Sequence, residues 1–313
     1  MSEWGAWAER ARPGNLAMYL DSQRTAPLPT GTPLDRALGG GLMPGVTVLG
    51  GQASAGKSAL ACDCAQSVAS RGGRVLYLTL DDSRAMIYKR CASAWSCSAQ
   101  AKEVGAPAVR WGAIDRMLEA ELSACADRSR AAWEASQRPG TAYRALALFG
   151  ESCPGLVVED SVSSAPAACG AVRRMAEQGE APALLVVDYV QQYATGDAAT
   201  DGNEYARVTA VAGVFQRLAL DLSLPVLELS SLRKIGKAER DDPQLDWMRG
   251  SGSVGYDAWA AVVLTRDEDS DDPSGRALWR GVRMSVLKNK SGLAGTARST
   301  RLYGPYSCVR DER

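Results

Sequence analysis

Histidine is absent from the 313 residues, and phenylalanine occurs only twice. Without an imidazole there is no Ser-His-Asp or Cys-His nucleophile pair, no histidine metal ligand and no imidazole acid–base group. Net charge is also missing, since 36 Lys and Arg balance 36 Asp and Glu. That argues against a protein that coats nucleic acid through bulk charge, while leaving a local basic channel open. No apolar run approaches the roughly 20 residues of a membrane helix. Glu3, Glu9, Arg10 and Arg12 stand where a signal peptide is apolar, so a cytoplasmic protein with no membrane partner is expected. Eight cysteines are present but no C-x-x-C pair. The nearest two, Cys62 and Cys64, splay apart on a helix, and reduced, buried or scattered thiols are expected.

What is present is an ordinary globular composition, 46% hydrophobic and 23% charged, enough for one large α/β domain or two small ones. Residues 1–30 differ from the rest. Trp4, Trp7, Ala8 and Ala11 are spaced as one face of a helix, Pro13-Gly14 breaks it, and Pro27-Leu28-Pro29 reads as a linker. Such an arm either lies on its own domain or docks on a neighbouring subunit. From about Gly31, short apolar runs alternate with helical patterns, the mark of a mostly parallel sheet with crossover helices. The runs are Val46–Leu49, Arg74–Leu80, Ala183–Asp188, Pro225–Ser230, Ala260–Thr265 and Arg283–Lys288, with a further short candidate at Leu156–Val158. Thr195–Asn203 and the acidic Asp267–Gly275 read as exposed loops.

The strongest chemical signal is Gly51-Gln52-Ala53-Ser54-Ala55-Gly56-Lys57-Ser58, a full G-x-x-x-x-G-K-[ST]. It follows the apolar run Val46–Leu49 and opens a helix predicted over Lys57–Ala69, the context that the motif requires. Glycines let successive N–H groups curl around phosphate oxygens, and the helix N-terminus adds partial positive charge. Lys57 is expected at the β/γ-phosphates and the Ser58 hydroxyl on Mg²⁺. Asp188, closing the apolar run that begins at Ala183, supplies the second carboxylate for Mg²⁺. An acid that orients the attacking water is expected from Asp81 or Asp82, at the sheet edge where ligands bind. Asp81 is favoured, against the alternative that both acids merely cap the next helix.

These pieces, in this order, resemble the RecA-like ATPase domain of DnaB-type replicative helicases. The likeness runs from Pro29–Asp35 and Leu38–Leu42 through Tyr77–Asp81, Val187–Gln191 and Leu224–Ser230. It continues at Arg249–Ser253 with Asp257-Ala258, then Arg266–Glu268 and Lys288–Gly295. The resemblance implies an α/β RecA-like P-loop fold closed by a C-terminal β-hairpin, with residues 31–313 as the ATPase unit. It implies a hexameric ring binding ATP and Mg²⁺ between subunits, single-stranded DNA in the centre, and a replication partner protein. Gly51 and Ala53–Ser58 hold the nucleotide in this reading, together with Arg266. Lys288 and Lys290 reach a neighbour's γ-phosphate. Arg249, Gly250 and Gly252 grip DNA phosphates. Arg233 and Lys234, with Lys237 and Arg240, either line the pore or form a solvated loop that Glu239, Asp241 and Asp242 nearly neutralise. Residues 276–313 carry nine Lys and Arg against two acids, the most basic stretch of a neutral chain.

Three positions depart from the resembled pattern. Lys290 stands where the family has an arginine finger, Asp81 where it has glutamate, and Ser231 where it has glutamine. A lysine lacks the bidentate fork, and Asp81 is shorter than glutamate by roughly 1.5 Å. ATP binding with slow hydrolysis is therefore expected. The thirty residues before the core are also too few for the helical collar that contacts primase in that family, so a primase contact is not expected. Two further readings remain: a RecA-, RadA- or KaiC-like ATPase that does not unwind, and an ATP-binding scaffold.

Overall fold

The computed structural model describes residues 26–122, 127–233, 243–248, 255, 257–268, 271 and 278–312. The helical arm expected over residues 1–12, and Lys234, Lys237, Arg240, Arg249, Gly250 and Gly252, lie outside the described residues.

Among the described residues, nine strands form one sheet: β1 (Gly45–Gly51), β2 (Val75–Thr79), β3 (Leu156–Glu159), β4 (Leu184–Asp188), β5 (Pro225–Ser231), β6 (Ala260–Arg266), β7 (Arg280–Asn289), β8 (Thr296–Tyr303) and β9 (Cys308–Asp311). Their order is β3-β2-β4-β5-β1-β6-β7-β8-β9. The pairs from β3 to β6 are all parallel, and β7 to β9 add an antiparallel meander. The helices are α1 (Pro33–Leu38), α2 (Lys57–Ala69), α3 (Arg84–Ser96), α4 (Ala99–Glu103), α5 (Ile114–Leu122), α6 (Arg128–Gln137), α7 (Ala142–Ser152), α8 (Ala165–Glu177), α9 (Ala198–Asp201) and α10 (Glu204–Asp221). Among the described residues, no helix is long and apolar enough to cross a membrane.

The central strands are apolar on both sides because helices cover both faces. On one face α1, α2, α3 and α7 pack against Leu49, Tyr77, Val186 and Leu229. On the other, α8 and α10 pack against Val48, Leu78, Val187 and Val226. Each fully buried aliphatic side chain contributes on the order of 1.5–3 kcal/mol before the entropy of ordering the chain is subtracted. Helix α2 is buried from Ala59 to Gln66, and its small residues let it lie close to the sheet, α3 and β9 at once. Cys62 and Cys64 are both buried there, and every described cysteine is a free thiol. Asp63, also on α2, ties down β9. It accepts from the Arg310 guanidinium and, at 3.0 Å each, from Val309 N and Gln66 Nε2. Burial still holds its carboxyl above the usual range.

The expected strands appear with ends moved by up to three residues; β8 is the return strand of the C-terminal β-hairpin that the resemblance implied, though its own sequence did not mark it, and β9 was not anticipated. Thr296–Tyr303 reads Thr-Ala-Arg-Ser-Thr-Arg-Leu-Tyr, and its first half is exposed, so apolar alternation is weak. The expected loop at Thr195–Asn203 contains the single turn of α9, capped by Asp197, whose Oδ2 accepts from Thr200 N at 3.0 Å. Asp267, at the start of the expected acidic loop, is instead buried and accepts from Ser299 Oγ at 2.6 Å.

Candidate nucleotide site

Strand β1 ends at Gly51 and α2 begins at Lys57, so the intervening residues turn within five positions. Ser54 (φ 61°) and Gly56 (φ 105°) both take left-handed backbone conformations that curl the loop. At Gly56 the close approach is steric as well, since a Cβ there would lie 2.9 Å from Leu302 Cδ2. Lys57 folds back over the loop and donates to Gly51 O at 2.7 Å and Gln52 O at 3.1 Å. Burial lowers its ammonium pKa, against the pull of Asp188 and Asp81.

Asp188 sits at the end of β4, paired in register with Thr79 at the end of β2. It is buried, and its Oδ2 accepts from Tyr77 OH at 2.7 Å. Burial pushes its carboxyl up to about 6, with the hydroxyls of Tyr77 and Ser58 pulling the other way. The structure thus brings the Ser58 hydroxyl onto the Asp188 carboxylate, an all-oxygen pair suited to a hard divalent cation. These residues fit Mg²⁺.

The two acids after β2 separate by partner. Both line the cleft, but Asp82 pairs with Arg90 at 3.2 Å, whereas Asp81 is exposed and acts electrostatically on both Lys57 and Asp188. Neither caps α3. That role belongs to Ser83, whose Oγ accepts from Met86 N. Ser231, in register with Gly51, also lines the cleft, and its N–H donates to the buried Gln191 side chain at 3.4 Å.

The cleft encloses about 520 Å³, the size of a small-molecule site. Besides Ala53, Ser54 and Gly56–Ser58 it is lined by residues not singled out from the sequence: Arg90, Trp111, Arg280, Leu302, Gly304 and Ser307. They come from α3, from the segment between β2 and β3, and from the final meander. No local pattern could have flagged them.

Two groups of expected site residues stand elsewhere. Arg266 is held by Asp271 and donates to Gly281 O at 2.9 Å, away from the cleft lining. Arg280 reaches the P-loop instead and donates to Ser54 O. Lys288 and Lys290 lie at the far end of the sheet. Asn289 pairs with Ala260, which pairs with Thr47 at the start of β1. The Lys290 ammonium lies 5.8 Å from the centroid of the Trp259 ring, which packs against Gly45. Four residues of strand, roughly 13 Å, separate Thr47 from Gly51. Arg233 follows β5, donates its N–H to Trp247 O at 2.8 Å and lies over that ring.

Residues 28–302 match the DnaB-like helicase C-terminal domain. The chain belongs to that family. Replicative DNA helicase DnaC of Bacillus subtilis (strain 168) is 25% identical over 272 residues, covering 86% of this chain and 53% of the relative. DNA repair protein RadA of Mycobacterium tuberculosis (strain CDC 1551 / Oshkosh) is 41% identical over 87 residues, covering 27% and 18%. Among solved structures, the ATPase domain of G40P superposes with a TM-score of 0.68 at 18% identity, covering 95% of this chain and 97% of that one. This DnaB-like chain spans about half the length of the curated replicative helicase it matches. The fold is thus the RecA-like one that the motif order implied.

Proposed function

We propose that the chain is the motor of an ATP-dependent DNA helicase or single-stranded DNA translocase, working as a cytoplasmic hexameric ring in DNA replication. Residues 31–313 form the ATPase unit in this reading, and residues 1–30 an arm toward the neighbouring subunit. The observation that carries it is the convergence of Lys57, Ser58, Asp81 and Asp188 on one cleft while Lys288 and Lys290 stand at the opposite end of β1. A subunit built this way cannot complete its own site with its own hairpin. It can complete a neighbour's.

The P-loop N–H groups and Lys57 would hold the triphosphate of ATP, and Ser58 with Asp188 would hold Mg²⁺. Bound there, the cation neutralises charge on the phosphates and fixes their geometry. Asp81 orients and deprotonates the attacking water. Tyr77 keeps Asp188 in place through its 2.7 Å hydrogen bond. Arg233, which follows Ser231 at the end of β5, is proposed with Lys234, Arg249, Gly250 and Gly252 to meet single-stranded DNA. A replication partner protein completes the assembly.

ATP hydrolysis by the purified protein, with and without single-stranded DNA and with Lys57→Ala as the blank, tests this reading. Turnover that rises severalfold with DNA supports a motor, and turnover indifferent to DNA sinks it. The RadA match and the replacements at Ser231 and Lys290 favour a second reading, a RecA-like ATPase that does not unwind. Strand displacement from a forked duplex separates the two.

A further inference from the structure

The cleft lining is chemically of two kinds. One part is charged, with Lys57, Ser58, Asp81 and Asp188. The other includes the indole of Trp111, which is held on two sides. The Arg90 guanidinium lies 4.7 Å from its ring centroid, and Trp111 Nε1 donates to Gly304 O at 2.9 Å. Arg90 is itself fixed by Asp82 at 3.2 Å, so one guanidinium links the acid after β2 to the indole. Leu302, which blocks any side chain at Gly56, adds an apolar side chain to the lining next to the start of α2, and Gly304 lines the cleft as well. Tyr189, a second aromatic ring among the described residues lining the cleft, directly follows Asp188.

A nucleoside triphosphate needs both kinds of lining, since it carries anionic oxygens at one end and a flat ring at the other. We propose that Trp111, braced by Arg90 and Gly304, is the platform on which the nucleobase stacks. The proposal rests on the reading of the cleft as a nucleotide site. A pre-positioned indole loses little side-chain freedom on binding, and every base offers it a π-face. The Arg90 guanidinium over the Trp111 ring also places a cation in the cleft lining, which favours an aromatic base. The Trp111 N–H is already committed to Gly304 O, so the ring recognises shape and stacking and not a hydrogen-bonding edge.

Binding of ATP and of inorganic tripolyphosphate, measured side by side by calorimetry on the full chain, tests this. Removing the stacking ring in Trp111→Ala should weaken ATP roughly five- to hundredfold. Tripolyphosphate, which has no base, should stay within about twofold by the same reasoning, and Trp111→Phe should keep most of the ATP affinity. Equal weakening of both ligands by Trp111→Ala would make the indole a structural prop and overturn the proposal, as would unchanged ATP binding. Lys57→Ala reports separately on the underlying reading, because it should abolish binding of both ligands. If it does not, the cleft is not a P-loop nucleotide site.

Discussion

Glu228 offers a quantitative test of how this core is built. It lies on β5 between Val48 of β1 and Val187 of β4, is 1% exposed, and its Oε1 has no hydrogen-bond partner. Burial pushes its carboxyl up to about 8. In the unfolded chain the same group titrates near 4.3. Between those values the folded state keeps a proton that the unfolded state releases. Stability is therefore whole below the unfolded pKa and lost as pH rises toward 8. At about 1.4 kcal/mol per pH unit, the penalty at pH 7 amounts to roughly 3–4 kcal/mol. Glu228→Gln keeps the shape and removes the titration. Urea unfolding from pH 4.5 to 8.5 should show the two proteins nearly equal at the acid end. The variant should then gain about 3–4 kcal/mol by pH 7 and level off above 8. Parallel stability curves for the two proteins would refute the reasoning, because they would mean that Glu228 is not held neutral in the fold.

Asp81→Asn should lower ATP turnover on the order of 100-fold or more, whereas Asp82→Asn, which releases Arg90, should have a smaller effect; a steady-state assay that ranks them the other way reassigns the water-orienting acid. Asp81→Glu should raise turnover, since it restores the reach that the shorter side chain lacks. Tyr77→Phe removes the hydroxyl that donates to Asp188 and should cost about 1–3 kcal/mol in urea unfolding, and an unchanged midpoint would deny that hydrogen bond a stabilising role. Mixing Lys57→Ala with Lys290→Ala should recover part of the ATPase activity that neither variant has alone, because mixed rings contain sites with an intact P-loop facing an intact hairpin. No recovery would place Lys290 outside the neighbour's site.

Much of the candidate nucleotide site was legible because it is local. Gly51–Ser58 is contiguous, the preceding strand and following helix declare themselves by their own apolar patterns, and the helix expected over Lys57–Ala69 spans those same residues. Asp188 was readable as the polar end of an apolar run, since a buried parallel strand must stop where its carboxylate meets the cleft. Glu228 was hidden in such a run. Nothing in Leu227-Glu228-Leu229 tells that both flanking strands and α10 shut the carboxyl away from water.

The sequence by itself thus determined the P-loop, the strand that carries Asp188, the parallel α/β class and the family, because each rests on neighbouring residues or on their order. Only the tertiary structure decided that Asp82 and not Asp81 pairs with Arg90 of α3, since that pairing depends on how the helix packs beside the end of β2. It also decided that Arg280 rather than Arg266 reaches the P-loop, and that Lys290 stands a strand's length from its own nucleotide site. Trp111 and Gly304 lie 193 positions apart in the chain and share a hydrogen bond. Contacts of that kind depend on how strands stack into a sheet and on which helices cover them. That is a property of packing, in which each residue's neighbours come from distant parts of the chain.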